Sequence, residues 1–363
     1  MIKKDIEYMR LALNEAIKGE GRVNPNPLVG AVVVKNDKII STGYHEKYGE
    51  AHAERNALNK IGELAEGATL YVTLEPCSHT GKTPPCVDKI IESKIKRCVV
   101  ATLDSNPLVS GKGIKKLKDA GIEVQVGILE KEALEINSVF FKYVEEKLPF
   151  IFLKCGITLD GKIATKDFSS KWITNSLARE KVQMYRNKFM GIMLGKNSVL
   201  HDNPTLDCRM EGGRNPVRII IDSKLDIPYE YKVISNNEDE KTIIVTSKQM
   251  VETQKYSILK EKYKIKFITL PENEFQLKDI FKQVGKLGID SILVEGGSSV
   301  ISQLFRDNLI DAGEIFIAPK ILGDSTSIPF VDGFSRSLIS EAIELKNVKY
   351  NIYGDNIGLE FKK

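Results

Sequence analysis

The sequence predicts two α/β domains in one chain. Its 363 residues are more than a single hydrophobic core usually organises. Segments typical of buried strands alternate with amphipathic helical segments along most of the chain, which is the pattern of a layered α/β domain. A polar stretch at residues 145–149 interrupts this alternation, and Pro149 at its end cannot continue a helix. We therefore expect a first domain at residues 1–146 and a second at residues 147–363.

The elements of the first domain follow from hydrophobic periodicity. Residues 1–18 carry apolar side chains at Ile6, Met9, Leu13 and Ile17, which is the spacing of an amphipathic helix and not of a signal peptide. Strands are predicted at residues 28–34, 38–44, 69–74, 97–103 and 122–126. Further helices are predicted at residues 51–59, 86–94, 113–120 and 131–144. The alternation favours helices on both faces of one sheet.

The second domain repeats the alternation and then changes at its end. Strands are predicted at residues 150–155, 191–194, 217–222, 242–246, 266–270 and 291–295. Helices are predicted at residues 176–187, 248–263, 277–287 and 299–308. The tail contains three strand-like segments, at residues 314–321, 341–352 and 357–361. A turn at residues 353–356 joins the last two. We expect a second α/β domain that closes with an antiparallel hairpin.

Composition excludes several classes of protein. Hydrophobic residues make up 42% and charged residues 28% of the chain, as in ordinary soluble globular proteins. The longest apolar run, residues 28–34, is far shorter than the roughly 20 residues that span a bilayer. The formal net charge of +4 is spread along the chain, without the Lys/Arg-rich tract that grips nucleic acid. The 5 cysteines are an odd number and too few for a disulfide scaffold, so we expect a reducing cytoplasm.

Metal-binding residue types are concentrated in one part of the first domain. The chain has 4 His, and three of them share residues 45–86 with two cysteines: His45, His52, His79, Cys77 and Cys86. One imidazole and two thiolates are a natural donor set for zinc and leave a fourth tetrahedral position for water. Zinc lowers the pKa of such a water to about 7. Glu54, two residues from His52, is placed to take that proton and pass it to a departing amine.

The order His-x-Glu, Pro-Cys, Cys matches the signature of zinc nucleobase deaminases. One difference is that eight residues separate Cys77 from Cys86, where that signature has two. Two other interpretations stay open at this point. A closed structural zinc site needs a fourth ligand, which His45 or His79 can supply. Buried, inert cysteines are the other interpretation, and we assign that state to the isolated cysteines: Cys98, Cys155 and Cys208.

Three motifs of the first domain together resemble one family. They are Asn-Pro-Asn-Pro-Leu-Val-Gly at residues 24–30, His-Ala-Glu at residues 52–54, and the cysteine loop at residues 73–86. These motifs are similar to those of the bifunctional deaminase–reductases of riboflavin biosynthesis, in which the long cysteine loop is the rule. The match continues in the second half at Lys154 and at residues 158–162, 170–174, 202–204 and 294–297. The resemblance thus spans nearly the whole chain.

The resemblance implies a cytidine-deaminase-like three-layer α/β/α domain followed by a dihydrofolate-reductase-like α/β domain. It implies that an amino group is removed hydrolytically from a diaminopyrimidinone carrying a phosphoribosylamino group. The ribosyl group is then reduced to a ribityl chain with NADPH. In the first domain it implies one Zn²⁺ per chain on His52, Cys77 and Cys86, with Glu54 as the catalytic residue.

Contacts to the pyrimidine or its phosphate are implied at four positions of the first domain: Asn26, His45, His79 and Lys82. An amide offers a donor and an acceptor to a ring edge, and a lysine offers a point charge to phosphate. From the residues alone, Asn26 can equally be a turn residue before Pro27. His79 and Lys82 can equally be solvated loop residues.

The second domain lacks a Gly-x-Gly-x-x-Gly after a strand, so a standard Rossmann site is not supported. Instead, a Glu-Gly-Gly-Ser-Ser turn at residues 295–299 joins a predicted strand to a helix. Such a turn suits a pyrophosphate, and taken alone it is also an ordinary turn. The resemblance implies cofactor contacts at Cys155, Gly156, Trp172, Ser198, Asp202, Ser223, Gly296, Gly297, Ser298 and Ser299. It implies substrate contacts at Ser170, Arg186, Leu206, Arg209 and Glu295. Lys154 and Asp202 are candidate proton donors.

Two rival functions are considered. A nucleic-acid base deaminase with an accessory RNA-binding domain would share the zinc motif, but the modest charge and the long cysteine loop disfavour it. A zinc-stabilised binding protein without turnover would need a closed four-ligand site. We expect small phosphorylated pyrimidines as substrates, and neither nucleic acid nor a membrane as a partner. We also expect a homo-oligomer in the cytoplasm.

Overall fold

The computed structural model describes residues 2–79, 84–105 and 110–363. The chain divides into two compact units, Met1–Lys147 and Leu148–Lys363, so the division falls one residue after the predicted boundary. Each unit is built around its own sheet. Among the helices of these described residues, none has the length and apolar character needed to cross a membrane.

The first unit contains a five-stranded sheet in the order β2-β1-β3-β4-β5. Its strands are β1 (Gly30–Lys35), β2 (Lys38–Tyr44), β3 (Thr69–Leu74), β4 (Arg97–Thr102) and β5 (Glu123–Val126). Strand β1 pairs antiparallel with β2 and β3, whereas β3, β4 and β5 run parallel. The predicted strands are therefore confirmed, with ends that shift by up to two residues.

Helices cover both faces of this sheet, as the alternation predicts. They are α1 (Ile2–Ile17), α2 (Ala53–Asn59), α3 (Cys86–Glu92), α4 (Lys112–Asp119), α5 (Glu130–Ile136) and α6 (Ser138–Glu146). Met9 and Leu13 of α1 and Ala133 of α5 pack on one face of the sheet. Leu58 of α2 and Ile90 of α3 belong to the apolar cluster on the other face. The unit therefore has three layers.

The prediction of one helix at residues 131–144 is wrong, because Asn137 separates α5 from α6. The Asn137 side chain is 1% exposed. Its Oδ1 accepts from the Leu28 backbone N–H at 2.8 Å, and its Nδ2 donates to the Leu28 carbonyl at 2.9 Å. These two long-range hydrogen bonds hold Asn137 in a non-helical conformation. The spacing of apolar residues within the segment does not reveal them.

The second unit contains a nine-stranded sheet in the order β11-β10-β9-β8-β12-β6-β13-β16-β15. Its strands are β6 (Phe150–Thr158), β8 (Gly191–Gly195), β9 (Val217–Ile221), β10 (Thr242–Ser247), β11 (Lys266–Leu270), β12 (Ser291–Val294), β13 (Ala312–Ala318), β15 (Lys349–Tyr353) and β16 (Asn356–Lys362). The first seven in that order are parallel, and β16 and β15 form the predicted antiparallel hairpin. A separate two-stranded ribbon pairs β7 (Lys162–Ala164) with β14 (Ile328–Pro329).

The helices of the second unit are α7 (Ser176–Lys188), α8 (Lys196–Asp202), α9 (Lys232–Ser235), α10 (Gln254–Glu261), α11 (Leu277–Lys286) and α12 (Ser298–Arg306).

The prediction of one helix at residues 248–263 is wrong. The segment is a 3₁₀ turn, Lys248–Glu252, followed by α10, whose first turn is capped by the Thr253 hydroxyl. The strand predicted at residues 341–352 is also wrong in its first part, because β15 begins only at Lys349. Helix α8 was not predicted, since only Val199 within it is buried.

A buried ion pair ties α1 to the sheet of the first unit. Asp5 is 1% exposed and accepts the guanidinium of Arg97 at 2.7 and 3.0 Å. The Tyr71 hydroxyl donates to the same carboxylate at 2.7 Å. The hydrogen bonds from Arg97 lower the pKa of Asp5, although burial acts in the opposite direction. Arg97 also donates to Glu123 at 3.0 Å, so one network links α1 to β3, β4 and β5.

Arg97→Ala should loosen the docking of α1, because it leaves the Asp5 carboxylate buried without its partner. Removal of one member of a buried ion pair typically costs about 3–5 kcal/mol. We expect hydrogen–deuterium exchange at the amides of α1 to become at least about 100-fold faster. Lys4→Ala is the matched control, because the ion pair of Lys4 with Asp37 is exposed. Equal α1 protection in both variants would contradict a structural role for the buried pair.

Candidate metal centre and cavity of the second unit

The three predicted zinc ligands meet at one point. His52 directly precedes α2, Cys77 lies three residues beyond β3, and Cys86 is the first residue of α3. The Nδ1 of His52 lies 3.5 Å from the Cys77 sulfur and 3.3 Å from the Cys86 sulfur. All three donor atoms lie within 4.8 Å of one another. The three donor atoms are therefore close enough together to bind one metal ion, and they are of the kind that zinc prefers.

The two cysteines perturb each other. The neighbouring Cys86 side chain lowers the pKa of Cys77, whereas the neighbouring Cys77 side chain and burial raise the pKa of Cys86. The backbone N–H of Cys86 donates to the Cys77 sulfur at 3.3 Å. A divalent cation bound to both sulfurs would hold them as thiolates.

Glu54 lies in the first turn of α2 and is 3% exposed. Its Oε2 is buried and has no hydrogen-bond partner within the described part of the chain. Burial raises the pKa of this carboxyl to about 7. An unpartnered buried carboxyl oxygen is costly, so it is best explained by a ligand that contacts it during function. This observation supports a metal and water at the neighbouring His-Cys-Cys group.

A second pair of side chains flanks the group. His45 is 2% exposed, and its Nδ1 lies 3.1 Å from the Ala51 carbonyl, to which it donates. Its Nε2 therefore accepts from the Asn26 amide at 3.2 Å. Burial lowers the pKa of His45 and so favours the neutral imidazole. The ring stands edge-on to His52, 5.3 Å away. Since both His45 nitrogens are engaged, His45 orients Asn26 and is not a fourth metal ligand.

The other two predicted contact residues are not placed in this group. His79 is exposed and lies at the edge of the described segment, outside the cluster of donor atoms. Lys82 lies outside the described residues. Within the described ranges, the donor group therefore has three protein ligands, which is the number found in catalytic zinc sites.

Two residues that sequence reasoning missed support the cysteine loop. The Glu75 carboxylate is 4% exposed and accepts backbone N–H groups of Gly111 and Gly113, both at 2.9 Å, at the start of α4. A Cβ on Gly113 would lie 2.2 Å from the Pro76 carbonyl, so only glycine allows this approach next to Cys77. The second residue is Arg55.

The Arg55 guanidinium spans from α2 to the end of the cysteine loop. Its Nε donates to the Pro84 carbonyl at 3.3 Å, and its Nη2 donates to the Pro85 carbonyl at 3.1 Å. These two carbonyls immediately precede Cys86. One side chain next to Glu54 therefore fixes the segment that delivers the second sulfur. Nothing in the spacing of the sequence indicates this contact.

The second unit contains a cavity of about 740 Å³ at the carboxyl ends of its parallel strands, the edge at which α/β sheets bind ligands. All but one of the residues predicted for cofactor and substrate line it: Cys155, Gly156, Ser170, Trp172, Arg186, Ser198, Asp202, Leu206, Arg209, Glu295, Gly296, Gly297, Ser298 and Ser299. Lys154 lines it as well. Ser223 is the exception; it follows β9, and its carbonyl accepts from the Ser247 N–H at 3.0 Å.

Arg186 and Glu295 form a forked ion pair in this cavity. The two nitrogen–oxygen distances are 2.9 and 3.0 Å, and both side chains are nearly buried. Burial by itself would raise the pKa of Glu295, but the charges of Arg186 and Lys154 outweigh it and lower the pKa to about 2. The Arg186 fork is thus occupied by a carboxylate. Arg209 is exposed, and no described side chain pairs with its guanidinium.

The glycine turn fits the backbone approach expected of a phosphate cradle. Gly297 caps α12 in an extended conformation. A Cβ on Gly297 would lie 3.0 Å from the Ser198 hydroxyl, and one on Gly296 would lie 3.0 Å from the Val300 Cβ. A side chain at either position would therefore crowd these neighbours. No side chain caps the start of α12, so its first N–H groups are available to an anion.

Comparisons with known proteins match both units of the chain. The family described as "RibD C-terminal domain" matches residues 149–357, and the "Cytidine and deoxycytidylate deaminase zinc-binding region" matches residues 2–102. The riboflavin biosynthesis protein RibD of Aquifex aeolicus is 47% identical over 99% of this chain and 98% of that protein. The chain belongs to the RibD family. RibD of Actinobacillus pleuropneumoniae is 40% identical over 98% of this chain and 95% of its own length.

Solved structures of RibD proteins share the whole architecture. Acinetobacter baumannii RibD superposes with a TM-score of 0.91 at 33% identity, covering 100% of this chain and 99% of that chain. The Thermotoga maritima diaminohydroxyphosphoribosylaminopyrimidine deaminase/5-amino-6-(5-phosphoribosylamino)uracil reductase superposes with a TM-score of 0.88 at 40% identity, covering 99% of both chains. The predicted two-domain architecture, a cytidine-deaminase-like domain followed by a reductase domain, is thereby confirmed.

Arg55→Ala should weaken metal binding, because the loop that carries Cys86 loses its two-point attachment to α2. Loss of a residue that supports a metal ligand typically lowers affinity about 10- to 100-fold. We expect a comparable acceleration of zinc release to a chromogenic chelator, followed on the full chain. Lys60→Ala is the matched control, because Lys60 flanks the same helix but donates to the Thr42 carbonyl instead. If the two variants release zinc equally fast, Arg55 has no such role.

Proposed function

We propose that this chain carries out two consecutive steps of riboflavin biosynthesis, one in each unit. The first is the deamination of 2,5-diamino-6-(5-phosphoribosylamino)pyrimidin-4(3H)-one. The second is the reduction of 5-amino-6-(5-phosphoribosylamino)uracil at its ribosyl group. The Thermotoga maritima relative is named for both activities. The observation that carries the proposal is the three-ligand donor group beside a buried, unpartnered Glu54 oxygen.

In the deaminase unit, His52, Cys77 and Cys86 would hold the metal. When bound, zinc supplies a Lewis acid that lets water act as a nucleophile near neutral pH. Glu54 accepts the proton of the attacking water at Oε2 and delivers it to the departing amino group. Asn26, oriented by His45, offers its remaining amide hydrogen and its carbonyl oxygen to the edge of the pyrimidine. His79 and Lys82 are proposed to contact the phosphate end of the substrate.

In the reductase unit, NADPH supplies the hydride when bound, and the protein positions it. The turn at residues 296–299 cradles the phosphates at the start of α12, and Ser198 lies beside it. Further cofactor contacts are proposed for Cys155, Gly156, Trp172, Asp202 and Ser223. Ser170, Leu206 and the Arg186–Glu295 pair bind the sugar and ring of the substrate. Arg209, whose guanidinium pairs with no carboxylate among the described residues, binds the substrate phosphate.

Exposed side chains and free cysteines support the proposals for partners and location. Tyr350 and Ile352 are 71% and 70% exposed on β15, the edge strand of the nine-stranded sheet, which supports the predicted homo-oligomer. All five cysteines are free thiols, which supports a reducing cytoplasm. One zinc ion per chain is proposed from the single three-ligand group found among the described residues.

Glu54→Gln should abolish ammonia release, because the amide keeps the shape of the side chain but cannot accept the proton. We expect deamination to fall at least about 100-fold, in line with the usual contribution of a positioned proton carrier. Zinc content and reduction of the supplied uracil intermediate should stay at wild-type values, since the metal ligands and the second unit are unchanged. Ammonia is measured by a coupled assay and zinc by elemental analysis. Undiminished ammonia release would remove Glu54 from its assigned role.

Arg209→Ala should raise the KM for the uracil substrate about 10-fold or more while changing kcat less, because the phosphate is bound equally in ground and transition states. Steady-state oxidation of NADPH at varied substrate concentration measures both constants. Lys171→Ala provides a control, because Lys171 is a second cation lining the same cavity without an assigned role. A loss confined to kcat would instead indicate a transition-state contact.

A further inference from the structure

A short segment between β7 and α7 forms one wall of the cavity in the second unit. We call residues 165–174 the strap. Its residues contribute six of the side chains that line the cavity: Phe168, Ser170, Lys171, Trp172, Ile173 and Thr174. Two of these, Ser170 and Trp172, are proposed contacts for substrate and NADPH. The position of the strap therefore determines whether the cavity can bind both compounds.

Two contacts join the strap to α8 across the cavity. The Phe168 ring stacks on the His201 imidazole with a centroid distance of 3.8 Å and an interplanar angle of 7°. The Ser170 hydroxyl donates to Asp202 Oδ1 at 2.9 Å. Phe168 and His201 both line the cavity and are both exposed, so their stack lies at the rim of the cavity and not in the core.

The backbone of the strap is strained at two bulky residues. Phe168 has a φ of 63° and Trp172 a φ of 68°, both in the left-handed region that large side chains rarely adopt. Such a conformation persists only where contacts compensate for its cost. The contacts of Trp172 are the Arg179 guanidinium, 4.5 Å from its ring, and Lys320, which donates to its carbonyl. For Phe168 the compensating side-chain contact is the stack on His201.

We propose that Phe168 and His201 are positioning residues that latch the strap in its closed conformation, so that Trp172 faces bound NADPH and Ser170 faces the substrate. The proposal rests on the reductase function proposed above. The apparent affinity for NADPH depends on the fraction of molecules in which the strap is closed. Because the stack offsets the backbone strain of that closed form, its loss lowers the competent fraction and leaves the chemistry of the closed form intact.

The test compares His201→Ala with His201→Phe in the full chain. Loss of one stacked pair should raise the KM for NADPH about 2- to 10-fold with little change in kcat. His201→Phe keeps a flat ring on Phe168 and should restore most of the wild-type KM. Phe168→Ala should match His201→Ala. Tyr229→Ala is the matched control, because it removes a ring from another stacked pair, Tyr229–Tyr263, outside the cavity.

Trp172 gives a direct readout, because it is the only Trp in the chain and lies in the strap. Reduced nicotinamide absorbs where tryptophan emits, so NADPH binding to wild type should quench Trp172 fluorescence. In His201→Ala the quenching should need a correspondingly higher NADPH concentration. Equal titrations for wild type and His201→Ala, a defect confined to kcat, or no recovery in His201→Phe would each overturn the latch.

Failure of the underlying function looks different from failure of the latch. A wild-type chain that neither oxidises NADPH with the uracil substrate nor shows quenching would contradict the reductase assignment itself. Wild-type turnover with an unaffected His201→Ala variant would contradict only the latch. Ammonia release by the first unit, measured on each variant, should remain unchanged and verifies that the first unit is active; the unchanged kcat for NADPH oxidation verifies the fold of the second unit.

Discussion

The first unit depends on bringing three metal-binding side chains from separate segments to one point. His52, Cys77 and Cys86 lie at the start of α2, beyond the end of β3 and at the start of α3, yet their donor atoms meet within 4.8 Å. Packing of α2 on the sheet sets this distance. Gly43 of β2 makes the packing possible, because a Cβ there would lie 2.5 Å from the Ala57 backbone nitrogen. The close packing of α2 on β2 thus allows the three metal-binding atoms to meet.

Hydrophobic periodicity predicted the fold wherever burial alone decides an element. The parallel strand β10 is built on the apolar run at residues 243–245, and β11 on Phe267, Ile268 and Leu270; the predicted bounds of both strands agree with the structure to within one residue. Prediction failed where a side chain binds a distant or local backbone group instead. Asn137 bonds to Leu28, 109 positions away, and divides a helix, while the Thr253 hydroxyl starts a new helix inside an apolar pattern. Neither effect leaves a trace in the spacing of apolar residues.

The candidate sites were predictable to the extent that their residues are chemically distinctive. Scarce histidines and cysteines in a short stretch point to a metal whatever the surrounding fold, and the structure brings His52 and the two cysteines together. Charged residues are less informative, because their partners decide their role. Arg186 was predicted from the family resemblance as a substrate contact, whereas the structure pairs it with Glu295. Arg55 and Phe168 belong to common residue types. Their contacts, to the cysteine loop and to His201 respectively, are visible only in the folded structure.

Glu54 and Glu295 show how surroundings give one residue type two different functions. Both carboxyls are buried, which favours the protonated form. Glu54 has an unpartnered oxygen within the described structure, and its pKa rises to about 7. Glu295 faces Arg186 and Lys154, and its pKa falls to about 2. A carboxyl that titrates near neutrality can take up and release a proton, whereas one held ionised serves as a fixed anion. The charges of Arg186 and Lys154 favour the ionised form of Glu295, which makes this carboxylate a poor donor of the proton that the reduction requires.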